Sequence, residues 1–119
     1  MIRHAICALA LMISPAMAQQ KASAGSGAVL RGLNQINGET FDLEMAVGQT
    51  MSFGRLQITL IECRYPAGNR TGNAYASLEV SEVGREGTVF SGWMIASAPA
   101  LNAMDHARYD VWVMRCTTS

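Results

Sequence analysis

From Ala28 to the end of this chain no apolar stretch is long enough to make a crossover helix; glycines and an Asn-Gly pair cut the sequence into short pieces, and within them apolar residues recur at every second position. A chain divided in this way buries its apolar side chains by pairing short strands. Glu39 to Val47 shows the pattern most clearly, with Phe41, Leu43, Met45 and Val47 expected on one face and Thr40, Asp42 and Glu44 on the other. Before it, Val29 to Ile36 reads as a weaker strand interrupted by Gly32, and Asn37-Gly38 supplies a hairpin turn because both positions tolerate positive φ. Met51 and Phe53 continue the apolar side between Gly48 and Gly54.

The strongest strand is expected from Arg55 to Tyr65. Leu56, Ile58 and Leu60 share one face and Thr59, Ile61, Cys63 and Tyr65 the other, so its middle is either covered on both sides or carries a bulge that swaps the faces near Leu60. Pro66 to Gly72 reads as a hairpin loop, and Asn73 to Val83 as a strand turning Ala74, Ala76, Leu78 and Val80 inward. Gly84 to Gly87 turns the chain into Thr88–Ile95. At Ser97 the pattern changes: Ser97 can cap, Pro99 suits a first helical turn, and Leu101 and Met104 fall three apart. Tyr109 to Cys116 closes the chain, with Val111 and Val113 on one side and Trp112, Met114 and Cys116 on the other, which suggests a central strand. The expected fold is all-β, a small sandwich or barrel of about six to eight antiparallel strands, with one short helical turn near residues 98–106 and a disulfide.

Residues 1–18 have the grammar of a secretory signal: Arg3 and His4, an apolar run from Ala5 to Ile13, and Ala16-Met17-Ala18 as a small-x-small cleavage site. That run is too short to span a membrane. Cleavage after Ala18 removes Cys7 and leaves a polar, Gly/Ser-rich segment at 19–27, expected as a flexible tail, followed by a single β-domain at 28–119. The exported chain is close to neutral and its arginines are scattered among acids, which argues against nucleic-acid binding. It also lacks any apolar segment long enough for a membrane span, so the mature chain is expected to be soluble once exported, in the periplasm.

Cys63 and Cys116 are the cysteines that survive processing, and an oxidising compartment favours joining them. A zinc pair wants further Cys or His near by, and a redox pair is usually Cys-x-x-Cys. Neither pattern is present, and no motif implies a cofactor. His106 stands between Asp105 and Asp110, which invites a general base with its orienting carboxylate, yet no serine setting of the Gly-x-Ser-x-Gly kind accompanies it. One histidine and dispersed carboxylates also fall short of a metal site. Trp93, Trp112, Tyr109 and Tyr75 are candidates for an aromatic platform, although strand parity favours burial of both tryptophans. The connection Ser97–Arg108 is the expected meeting place with a partner: Leu101 and Met104 cap the open end of the sandwich, and Asn102, Asp105, His106 and Arg108 form a rim of mixed polarity.

The stretch WMIASAPALNAMDHARYDVWVMRC, with Trp93, Pro99, Leu101, Asn102, His106, Tyr109, Asp110, Trp112 and Cys116 in place, resembles the C-terminal signature of a family of small exported proteins of Gram-negative bacteria known as a domain of unknown function. The resemblance extends upstream through GAVLRGLNQINGET and VGQTMSFGRLQITLIECRYP. It implies an exported single domain with paired cysteines at Cys63 and Cys116, no reaction to carry over, and an association with gene neighbourhoods of respiratory membrane complexes. Three functional readings follow. The leading one is a non-enzymatic periplasmic accessory or interaction domain for an envelope or inner-membrane assembly, respiratory complexes included. The second is a binder of envelope glycan or peptide through exposed aromatics, and the third a hydrolase using His106.

Overall fold

The structure, a computed structural model, describes residues 21–118; the leader and cleavage site expected at 1–18 lie outside the described residues. Among the described residues eight strands form two antiparallel sheets. The first sheet runs in the order β1 (Ala22–Ala24), β5 (Leu56–Pro66), β6 (Tyr75–Glu82), β7 (Phe90–Ile95), with β4 (Thr50–Phe53) also paired to β5. The second runs β3 (Thr40–Ala46), β2 (Gly27–Asn34), β8 (Tyr109–Thr117). The inward residues of both sheets meet in one apolar core, among them Leu30, Leu43, Met45, Leu56, Ile58, Leu60, Leu78, Val80, Val111 and Val113. The all-β sandwich is thus as expected, and the helical turn is present as a short 3-10 turn at Pro99–Asn102.

Two β-bulges decide where the cysteines point. In β5, Leu56, Ile58 and Leu60 face the core, so strict alternation would turn Cys63 outward. Leu60 lies opposite Leu78 of β6 but Glu62 lies opposite Ser77, which leaves Ile61 as an extra residue and exposes it. The swap restores Cys63 to the interior, fully buried opposite Ala76. The same device recurs in β8. Val113 is opposite Leu30 and Arg115 opposite Val29, so Met114 is the extra residue and Cys116 turns inward beside Ala28. Cys63 and Cys116 are joined as a disulfide across the two sheets, with 5.8 Å between their Cα atoms and a sequence separation of 53.

Four expectations need correction. Residues 22–27 do not form a flexible tail: β1 pairs along Arg64–Pro66, Gly25 donates its N–H to the Cys63 carbonyl at 2.7 Å, and Ser26 to the Thr117 carbonyl at 2.9 Å. The reason is that β4 pairs with Leu56–Thr59 only, and the Gly/Ala/Ser segment is small enough to pair farther along the same side of β5, close against the disulfide. Among the described residues β8 is an edge strand and β2 the central one; β8 reads as apolar on both faces because the Met114 bulge turns Cys116 inward while Trp112 stays outward. Trp93 is 41% exposed, since Phe90 and Met94 take the inward positions of β7. Leu101 is 74% exposed, and only Met104 caps the end of the core.

Closing a loop of this length removes denatured-state freedom worth roughly 4 kcal/mol, a large share of a small domain's stability. Cys63→Ala and Cys116→Ala are each expected to destabilise the oxidised protein by a few kcal/mol in denaturant titration, and reductant should lower the wild-type melting temperature by a comparable amount.

Candidate functional site

The connection from β7 to β8 is held by its own polar side chains. Asn102 donates from Nδ2 to the Trp93 carbonyl at 2.8 Å, which ties the 3-10 turn to β7. His106 is turned inward, with its side chain only 8% exposed. Its Nδ1 accepts the backbone N–H groups of Arg108 at 2.9 Å and Tyr109 at 3.2 Å. The ring hydrogen therefore sits on Nε2, which donates to Glu82 Oε1 at 2.8 Å and locks the loop to the end of β6. Gln35 fastens the same loop to the end of β2, donating its N–H to the Arg108 carbonyl and its Nε2 to the His106 carbonyl.

The four residues expected as one rim are therefore not brought together as one. Asn102 and His106 are fasteners, and burial takes His106 out of the surface; Asp105 and Arg108 remain exposed. Both ring nitrogens of His106 are engaged, Nδ1 by two backbone N–H groups and Nε2 by Glu82, and no serine hydroxyl bonds to either among the described residues. Among the described residues no three His, Cys, Asp or Glu side chains gather to hold a metal ion.

Arg108 borders a different feature, an open cleft of about 530 Å³ between the edges of β3 and β4. Its floor is a chain of rings. Phe41 meets Phe53 edge-on at 5.9 Å between centroids, Phe53 meets Tyr109 edge-on at 5.5 Å, and Tyr109 lies 5.4 Å from the His106 ring. Exposure falls from 47% at Phe41 to 7% at Phe53 and 4% at Tyr109, so the floor runs from solvent into the core. Arg108 stands over Tyr109 with its guanidinium carbon 5.5 Å from the ring centroid. Asp42 on the rim is paired with Arg31 through two hydrogen bonds of 2.8 and 3.3 Å, and that guanidinium holds its carboxyl below the usual carboxylate range. Asn34 and Ser52 complete the polar edge.

Glycines make room for this floor. A Cβ at Gly32 would stand 2.7 Å from the Phe53 ring, so the residue that looked like a weakness in β2 is a seat for an aromatic side chain. Gly54 has φ +60°, and a Cβ there would run into the Tyr109 hydroxyl. The cleft escaped the sequence reading because its rings come from β3, β4 and β8, elements with no common spacing. Phe41 and Phe53 read only as core positions.

Fold and cleft together define a disulfide-stapled β-sandwich with an open, aromatic-floored cleft at one end. By sequence the chain belongs to a bacterial family described as "Uncharacterized protein conserved in bacteria (DUF2155)", which matches residues 28–116. No curated protein and no solved structure matches it. Among the described residues no helix is long and apolar enough to cross a membrane.

Gly54→Ala is expected to destabilise by about 2 kcal/mol or more in denaturant titration, from left-handed strain plus the collision with Tyr109. Phe41→Ser, at the solvent end of the floor, should change stability by less than about 1 kcal/mol. The Glu82 carboxyl is held below its ordinary range, chiefly by the hydrogen bond from His106, with Arg85 adding to it against the effect of burial. Its contribution to stability is present above the ordinary glutamate value of about 4.3 and disappears as pH falls through the lower folded value. Melting temperature should therefore drop more steeply between about pH 5 and pH 3 in wild type than in Glu82→Gln.

Proposed function

We propose that this protein is an exported, non-enzymatic accessory domain that binds a protein segment of an envelope or inner-membrane assembly in the aromatic cleft. The observation that carries the reading is the cleft floor: Phe41 is left half-exposed at the mouth of a groove whose deeper rings, Phe53 and Tyr109, are packed rigidly into the core. A concave, preformed apolar surface with polar groups at its edge is the usual form of a recognition site. It lies between two sheet edges, where an extended peptide finds backbone groups as well as rings. The leader pattern at 1–18 and the cysteine pair support placement in the oxidising periplasm. Membrane complexes that face that compartment, respiratory ones included, are the assemblies proposed.

A second reading, binding of envelope glycan, rests on the exposure of Trp93. Its cross-strand partner is Ser77, which places Tyr75 diagonally beside it on the outer face of the first sheet. The platform is smaller than the sequence suggested, because Tyr109 is core and Trp112 lies on the outer face of the other sheet.

A photo-crosslinking residue placed at Ser52 in the cleft, or at Ser91 on the outer face of the first sheet, separates these readings in cells. The cleft reading predicts one discrete protein adduct from Ser52, lost on adding Phe41→Ser, and none from Ser91. No adduct from Ser52, together with retention of the protein on purified peptidoglycan that Trp93→Ala abolishes, would favour the glycan reading instead.

A further inference from the structure

We propose that Asp110 and Trp112, under the 3-10 turn, form a pocket for a guanidinium group, the side chain of an arginine on a protein partner. It shares no lining residue with the aromatic cleft and stands independently of it. Asp110 and Trp112 are two positions apart on β8, so both project from the outer face of the second sheet, roughly 7 Å apart along the strand. Pro99, Ala100 and Ala103 of the turn region form the facing wall of a half-open pocket of about 350 Å³. That is within the usual range for a ligand pocket, and its walls, apart from the carboxylate, are apolar.

The carboxylate is the unusual part. Asp110 accepts one hydrogen bond, from the Val111 N–H to Oδ1 at 2.9 Å, and takes part in no ion pair among the described residues. Its cross-strand neighbour is the apolar Leu33. Burial pushes its carboxyl above the ordinary range, as it does for an anion with too few partners. The arginines closest in the strand pattern are already engaged: Arg31, opposite Trp112, pairs with Asp42, and Arg108 stands over Tyr109. A partly desolvated anion that shares a pocket with a tryptophan, with its own cations directed elsewhere, is complementary to an incoming cation. Guanidinium fits better than ammonium because it is planar, stacks on the indole while its N–H groups reach the carboxylate, and is more weakly hydrated.

The test is an NMR titration of the oxidised, leader-free protein with N-acetyl-arginine methylamide, with the lysine and citrulline analogues as comparisons. The arginine compound is expected to give saturable shifts at the Trp112 indole N–H and at the Asp110 and Val111 amides. The lysine compound should bind more weakly and the uncharged citrulline compound at least about tenfold more weakly, since it keeps the shape and loses the charge. Asp110→Asn retains an acceptor for the Val111 N–H, should melt no lower than wild type, and should weaken arginine binding by a similar factor. Absence of shifts at Trp112, equal binding of citrulline, parity with lysine, or undiminished binding by Asp110→Asn would each overturn the assignment.

Discussion

The bond between Cys63 and Cys116 is the constraint on which the rest of this sandwich depends, and it exists only because each cysteine follows a bulge. β5 and β8 belong to different sheets, and each spends its regular inward positions on aliphatic core residues. Without the extra residues Ile61 and Met114, both sulfurs would point to solvent on opposite sides of the molecule. With them the staple passes through the core and joins the sheets near the ends of both strands. The N-terminal residues 22–26 then close over it by pairing with β5 and bonding to the carbonyls of Cys63 and Thr117. Bulge, disulfide and N-terminal strand thus act as one unit at that end.

The opposite requirement, a shaped surface, is met where β2, β3, β4, β6 and β8 converge. His106 is central there although it touches no cleft solvent itself. By accepting from two backbone N–H groups and donating to Glu82, it fixes the start of β8 and so the ring of Tyr109, against which Phe53 and then Phe41 pack edge-on. Gly32 and Gly54 supply the space, and Arg108 and Asp42 supply charge at the mouth. A histidine flanked by acids invites chemistry in the sequence; in the fold its ring ties the β7–β8 connection to β6.

How much of this was legible follows from what alternation can and cannot encode. Period-two patterning identified the strands, and Ala74, Ala76, Leu78 and Val80 do face the core. It also left a bulge near Leu60 open as one of two ways to explain β5. It failed wherever one residue shifts the phase or smallness mimics flexibility. Alternation groups Cys116 with Trp112 because the Met114 bulge has no signature of its own, and residues 22–27 read as a flexible tail because close packing and disorder both favour Gly, Ala and Ser. Trp93 was misplaced because Phe90 and Met94 on the alternate phase are equally apolar. The cleft was hidden because tertiary convergence has no linear spacing.

The claim that the bulges make the staple is tested most directly by deleting Ile61 and counting free thiols in the exported protein, with melting temperature measured in parallel. Cys63 is then expected to face outward, both cysteines to react with a thiol reagent, and melting to fall at least as far as in Cys63→Ala. An oxidised deletion variant with the wild-type melting temperature would contradict it.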